Sequence, residues 1–264
     1  MTGMQHLRSV VARLRKDCPW DAAQTANSMR PYLLEECHET LEAIAEDSPA
    51  HVQEELGDLL FQILLISEIY AEQGLFDLDD VAQGIADKMV RRHPHVYADR
   101  PPEPNAKSTI AQWEKDKSRE RGHGGSVLDG VPKSLPALLR AHRVGEKVAH
   151  MGFDWPNIDG VRAKVDEELA ELDEAVQAKD RSAIAHEYGD VLLALSSLGR
   201  FLDLGPEQSL QDANRRFEGR FRVLEGLARS QDIAVEEADD STLNTLWEAA
   251  KVIHTKASST GQGE

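Results

Sequence analysis

Leu33-Leu34-Glu35-Glu36-Cys37-His38-Glu39, followed by Glu54-Glu55-Leu56-Gly57-Asp58-Leu59-Leu60, decides the fold, because the chain writes this pattern twice. The counterparts are Val165-Asp166-Glu167-Glu168-Leu169-Ala170-Glu171 and His186-Glu187-Tyr188-Gly189-Asp190-Val191-Leu192. Glu35 to Glu167, Glu55 to Glu187 and Asp58 to Asp190 are each shifts of 132 residues. In both copies fifteen residues separate the last Glu of EExxE from the first of ExxD. Self-similarity of this kind marks a chain made of two like modules.

Outward from these motifs the apolar residues recur at helical spacing. Leu34, Cys37, Leu41 and Ile44 form one stripe, and Val165, Leu169, Leu172 and Val176 form its counterpart. Leu56, Leu59, Leu60 and Ile63 continue the pattern in the next helix, with Pro49 marking the break between the two. Strand-like alternation is nearly absent. Each module therefore predicts a helical hairpin plus further helices, and the fold class is all-α, with tandem antiparallel helix bundles. Pro101-Pro102-Glu103-Pro104 and Arg121-Gly122-His123-Gly124-Gly125-Ser126 break helices between the copies. This places an N-terminal module at 1–120, a linker at 121–135 and a C-terminal module at 136–255. The small, polar stretch at 256–264 is expected to be a disordered tail.

Composition narrows the function classes. The chain has 264 residues and 41% hydrophobic content, enough for a real core. Its 47 Asp and Glu against 30 Lys and Arg give a formal charge of -17, which disfavours nucleic acid and anionic membrane as partners. Small anionic substrates would need bridging cations. Cys18 and Cys37, with neither CxxC spacing nor a disulfide framework, point to a reducing cytoplasmic home. The apolar stretch from Leu59 to Ile66 is interrupted by Gln62 and is too short to span a membrane, and the charged N-terminus does not read as a signal peptide.

Residues three or four apart share a helix face, so Glu36 with Glu39 and Glu55 with Asp58 present two acidic pairs from consecutive antiparallel helices. Glu168, Glu171, Glu187 and Asp190 repeat the arrangement. Facing carboxylates repel, and partial burial raises the cost of each charge, so a cation is expected among them. Hard oxygen ligands favour Mg²⁺ or Mn²⁺ over zinc. In an acidic protein a single EExxE usually means a solvated surface; two copies at identical spacing argue for a metal site. Gly57 and Gly189 sit inside these helices at a cost of about 1 kcal/mol relative to alanine. Close packing of a neighbouring helix and approach of a phosphate are the two readings of that space.

After the acidic hairpin each module has a basic helix, carrying Lys88, Arg91 and Arg92 in the first and Arg215, Arg216 and Arg220 in the second. Each then ends in a Trp followed four residues later by Lys, as Trp113 with Lys117 and Trp247 with Lys251. Basic groups suit triphosphate oxygens, and Trp suits a base; surface ion pairs and gap-filling are the alternatives for each residue singly. The shared order, acids then bases then Trp-Lys, favours a phosphate site. Cys18-Pro19-Trp20-Asp21 and Gly152-Phe153-Asp154-Trp155 read as turns and caps. His93 and His95 flank Pro94 without a repeat, so a ligand role there is the minority reading.

The EExxE and ExxD pairs, with EELGDLL, RRHPHVY, NRRFEGRF and WEAAK, closely resemble the MazG family over nearly the whole chain. The resemblance implies an all-α scaffold that associates as a homodimer of helical modules. It also implies Mg²⁺-dependent hydrolysis of nucleoside triphosphates to monophosphate and pyrophosphate. By the same resemblance Glu168, Glu171, Glu187 and Asp190 would ligate Mg²⁺, and Lys164, Arg216, Arg220, Trp247 and Lys251 would contact nucleotide. Glu36, Glu39, Glu55, Asp58, Lys88, Arg92, Trp113 and Lys117 would be the first-module equivalents. Glu35 and Glu167 are the candidates for orienting the attacking water. Family members with two copies often concentrate activity in the C-terminal module, and broad activity on NTPs and dNTPs is expected.

Two other readings fit parts of the chain. Glu35-Glu36-Cys37-His38 contains the Glu-x-x-His of carboxylate-bridged di-metal oxidases, but Ala170 stands where His38 would repeat. A non-catalytic helical regulatory or interaction protein would use the acidic grooves to bind a partner or a cation only.

Overall fold

Helix starts are written locally. Thr2 and Asp77 each form a capping box, with Gln5 N donating to Thr2 Oγ1 at 3.3 Å and Asp79 N to Asp77 Oδ1 at 2.8 Å. Pro31, Pro49 and Pro206 occupy first helical turns, where a missing N–H costs nothing. The computed structural model describes residues 1–46, 48–98 and 125–260, except for the side chains of 257–260. Every regular element among the described residues is helical. The chain divides into two compact units, Met1–Trp113 and Glu114–Glu264.

The first unit contains α1 (Gly3–Asp17), α2 (Pro19–Ala23), α3 (Arg30–Ala45), α4 (Pro49–Ala71), α5 (Leu78–Arg92) and α6 (Pro94–Tyr97). Its core gathers Val11 of α1, Met29 ahead of α3, and Leu64, Leu65 and Ile69 of α4. Each large apolar side chain so enclosed contributes about 1.5–3 kcal/mol. Arg15 ties three elements together: it meets Glu72 at 2.6 Å and donates to the carbonyl oxygens of Asp21 and Gln24.

In the second unit a 3-10 turn, Val127–Gly130, lies in the expected linker and precedes α7 (Ala137–Ala149), α8 (Ile158–Ala178) and α9 (Arg181–Phe201). They are followed by α10 (Pro206–Ser230), a 3-10 turn at Val235–Glu237 and α11 (Asp240–Thr260). α8 and α9 form a tight hairpin. Lys179 adopts φ 56° at its bend, and Asp180 caps α9 by accepting from Ser182 N at 2.9 Å. Before α8, Asp154 receives both terminal nitrogens of Arg200 on α9, at 2.6 and 2.8 Å. A Cβ on Gly160 would stand 3.1 Å from Trp155, so the glycine lets that ring lie against the first turn of α8. Leu224, Ala228, Leu246 and Ala250 make a second core between α10 and α11. α11 runs to Thr260, so backbone helix continues into the stretch expected as a tail; residues 261–264 lie outside the described residues.

Most of the apolar stripe of α3 is turned outward, Cys37 alone of its four residues being half-buried. Leu34, Leu41 and Ile44 are 60%, 55% and 56% exposed, whereas Thr40 and Ala43 are buried. In α8 Leu169 and Val176 stay exposed, while Val161, Val165, Glu168 and Ala175 are enclosed. α3 thus turns small side chains toward its hairpin and most of its apolar stripe outward, whereas α8 encloses Val161 and Val165 near its start and leaves Leu169 and Val176 outward. No helix among the described residues is long and apolar enough to cross a membrane.

Candidate functional site

Pairing α3 with α4 and α8 with α9 as antiparallel hairpins brings EExxE onto ExxD. Glu36, Glu39 and Glu55 each offer an oxygen within 4.8 Å of the others, and so do Glu168, Glu171 and Glu187. The two groups occupy the same register in the two modules. Asp58 and Asp190, one turn along from Glu55 and Glu187, fall outside these three-residue groups. Asp190 is instead paired with His186, Oδ2 to Nδ1 at 3.1 Å, while Asp58 adds its charge to the field on Glu39.

Crowding shows in the titration of the outer acids. Loss of surrounding water, then repulsion from Glu36, Glu55, Glu35 and Asp58, pushes the Glu39 carboxyl up. Glu171 is pushed up by the same loss of water and by Glu168 and Glu187, with Lys164 acting in the opposite sense. Three oxygens of this kind, with open solvent on one side, match the donor set of a hard divalent cation. Neither group contains a histidine, and His38, the key to the oxidase reading, stays exposed at the surface of α3.

The groups are braced differently. In the second module Lys164 Nζ bridges Glu167 at 2.7 Å and Glu168 at 2.8 Å, and both bonds raise the lysine's pKa. Glu168 is 6% exposed, so this charge is largely shielded from water. In the first module Tyr32 stands at the position of Lys164 and packs edge-on against Trp20. There Gln62 Nε2 donates to Glu36 Oε1 at 3.0 Å. His51 spans Glu46 at 2.9 Å and Glu55 at 3.1 Å, and its pKa is raised, first by the bond to Glu46. Gln62, His51 and His186 were not singled out as site residues from sequence. The available signals were the polar Gln62 inside an otherwise apolar run and the four-residue spacing of His51 from Glu55 and of His186 from Asp190.

The basic residues form a separate set on α10 and α11. Arg216 and Arg220 have no carboxylate partner among the described residues, although Arg215 pairs with Asp212 and Arg222 with Glu218 at 3.3 Å. Trp247 packs against Phe217, ring centroids 5.4 Å apart, and Lys251 meets Glu248 at 2.5 Å. Phe217 is 57% exposed, leaving an aromatic face beside unpaired guanidinium groups. In the first unit Lys88 and Arg92 lie half-buried on α5, whereas Trp113 and Lys117 lie outside the described residues. His93 Nδ1 lies 2.6 Å from the Met89 carbonyl oxygen at the end of α5, a helix-end contact.

Gly57 and Gly189 have nothing within 4 Å of an added Cβ. No neighbouring helix of the chain fills the space beside either one among the described residues.

Comparison with known proteins finds the same repetition. The family model described as the MazG nucleotide pyrophosphohydrolase domain matches residues 24–97 and 158–220, one match over each acidic hairpin. Nucleoside triphosphate pyrophosphohydrolase of Escherichia coli K12 is 39% identical over 260 residues, covering 95% of this chain and 98% of that protein. The nucleoside triphosphate pyrophosphohydrolase/pyrophosphatase MazG of Thermotoga maritima is 39% identical over 250 residues, covering 94% and 95%. YabN of Bacillus subtilis is 40% identical over 248 residues, 92% of this chain and 50% of that protein. A crystal structure of a mazG-related protein from Thermotoga maritima covers 43% of this chain and 98% of its own, at 23% identity and a TM-score of 0.38. With a family match over both hairpins and relatives aligned nearly end to end, the chain belongs to the MazG nucleotide pyrophosphohydrolase family.

Proposed function

We propose that the protein hydrolyses nucleoside triphosphates between the α- and β-phosphorus atoms, yielding nucleoside monophosphate and pyrophosphate. Mg²⁺ is the cofactor, with Mn²⁺ able to substitute, and bases and sugars are accepted broadly. The observation that carries this reading is the recurrence of a three-carboxylate group at one register in both modules of a MazG-family chain. Those carboxylates fit a hard cation. The enclosed amide oxygen of Gln62, beside the first group and without a hydrogen-bond partner among the described residues, supports an ion or its water there.

When bound, Mg²⁺ would neutralise phosphate charge and, by withdrawing electrons through a phosphoryl oxygen, make the α-phosphorus more open to attack by water as pyrophosphate leaves. Glu168, Glu171 and Glu187 would hold it, and Asp190, now paired with His186, would be the fourth carboxylate. Lys164 exchanges its carboxylate partners for phosphate oxygens. That frees Glu167 to orient the attacking water and accept its proton. Arg216, Arg220 and Lys251 bind the triphosphate, and Trp247 packs on the base. Glu36, Glu39, Glu55, Asp58, Glu35, Lys88, Arg92, Trp113 and Lys117 are the first-module equivalents, and turnover is concentrated in the second module.

The outward apolar faces of the hairpins favour a homodimer, in which a second copy covers Leu34, Leu41, Ile44, Leu169 and Val176. Light scattering of wild type against Leu41→Lys tests this; a wild-type monomer would refute it. The unpaired Cys18 and Cys37 suit a reducing cytoplasm.

The activity is tested by product analysis with several NTPs and dNTPs plus Mg²⁺, comparing wild type with Glu36→Ala and Glu168→Ala. The expected result is monophosphate plus pyrophosphate, lost in Glu168→Ala. Diphosphate plus orthophosphate would overturn the site of cleavage, and no turnover of any triphosphate would overturn the assignment.

A further inference from the structure

The two carboxylate groups share residues and spacing but not supports, and the difference lies at positions the repeat places in register. Gln62 on α4 is 5% exposed, and its amide nitrogen holds Glu36 Oε1 at 3.0 Å. The position 132 residues on is Ala194, which offers no hydrogen bond. Conversely Lys164 holds Glu168 Oε1 at 2.8 Å, and the position 132 residues back is Tyr32. A neutral amide donor orients a carboxylate without opposing a cation. An ammonium group orients it too, but leaves a positive charge where the cation must come.

We propose that Gln62 is a positioning residue that presets Glu36 as a divalent-cation ligand, so that the first module loads its cation without nucleotide while the second loads only as Lys164 leaves Glu168. This rests on the carboxylate groups being cation sites, as proposed above. The carboxylate, fixed at one oxygen by the Gln62 amide, keeps its second oxygen for the ion and loses little side-chain freedom on binding. The enclosed Oε1 of Gln62 has no hydrogen-bond partner, which a water held in an ion's coordination shell would supply. In the second module the Lys164 charge repels an incoming divalent ion until triphosphate oxygens give the lysine another partner. Cation and nucleotide therefore bind there as a coupled pair.

His51 also touches Glu55. Carrying every variant in a His51→Gln background removes that charge as a competing cause of any difference between the modules.

The test is Mn²⁺ binding to the full-length chain without nucleotide, read by the solution resonance of free Mn²⁺ and by the line shape of the bound ion. Wild type, Gln62→Met, Glu36→Gln, Glu168→Gln and Lys164→Met are compared. Methionine fills the glutamine's volume but does not donate, so thermal midpoints confirm that packing is kept. The expected result is a single tight class in the wild type, abolished by Glu36→Gln and untouched by Glu168→Gln. Gln62→Met weakens it about tenfold or more and changes the bound-ion line shape, and Lys164→Met creates a second class. Affinity unchanged in Gln62→Met, or a tight class lost in Glu168→Gln and kept in Glu36→Gln, overturns the proposal while leaving the cation sites standing. No binding of Mn²⁺ by any variant, either alone or beyond what the free nucleotide itself takes up, overturns both.

Discussion

Removing the Asp154 carboxylate is expected to loosen the whole acidic hairpin of the second unit. Asp154 lies in the turn ahead of α8, and Arg200 lies near the end of α9, so their pair clamps one end of the helix that carries Lys164, Glu167, Glu168 and Glu171. Two charge-assisted bonds, at 2.8 and 2.6 Å, join side chains that are 16% and 24% exposed, and Asp154 Oδ1 also accepts from Trp155 N at 2.9 Å. Bonds to charged groups are worth roughly 1.5–3 kcal/mol each but do not add fully. Asp154→Ala also leaves a largely enclosed guanidinium whose Nε already has no hydrogen-bond partner. Loss of a buried partner costs roughly 3–5 kcal/mol, and the residual exposure places this site at the lower end, about 3 kcal/mol. Asp154→Asn, which keeps an acceptor, should cost about half of that. The assay is urea denaturation followed by circular dichroism, with Arg200→Met and the double variant closing a cycle. The double variant should be more stable than Asp154→Ala alone, because the orphaned charge is gone. A cost below about 0.5 kcal/mol for Asp154→Ala, or strict additivity in the cycle, would refute the reasoning.

Gly57→Ala and Gly189→Ala should each stabilise the isolated chain by about 1 kcal/mol, since an added Cβ meets nothing within 4 Å. Destabilisation in dilute solution would mean that something fills that space in the native protein. Arg15 holds the Glu72 carboxyl below its ordinary range, chiefly through their hydrogen bond. Its stabilising contribution is therefore present above the unfolded carboxylate range and lost as pH falls through the depressed folded value. Arg15→Met should accordingly flatten the acid limb of a stability-against-pH curve; an unchanged limb would contradict this. Glu39 and Glu171 are shifted upward, so their repulsion weighs on the cation-free protein above that raised range and fades as they protonate. Mg²⁺ should therefore raise the melting midpoint near neutral pH and raise it less near pH 5, and a constant increment would count against the carboxylate groups as the binding sites.

Repetition made the fold class legible from the sequence. Two copies of EExxE and ExxD at one spacing, with apolar residues at helical intervals and prolines at helix starts, required like helical hairpins whatever their packing. The carboxylates that meet were legible for the same reason: helical periodicity puts Glu168 and Glu171 on one face, and a hairpin turn brings Glu187 opposite. Other features depended on contacts between positions far apart in the chain, for which periodicity carries no information. Only tertiary structure placed Gln62 against Glu36 across α3 and α4. It also left Asp190 and Asp58 outside the three-residue groups, whereas His51 with Glu55 and His186 with Asp190 are four-residue neighbours on one helix, a spacing already written in the sequence. The direction of the apolar stripe was likewise decided by packing. A stripe records that one face avoids water but not which surface covers it, and in α3 the helix gives its own unit Thr40 and Ala43 while turning Leu34, Leu41 and Ile44 outward. Sequence thus determined which groups each helix presents, because that follows from about 3.6 residues per turn; tertiary structure decided which groups meet, because that depends on how the helices are turned against one another.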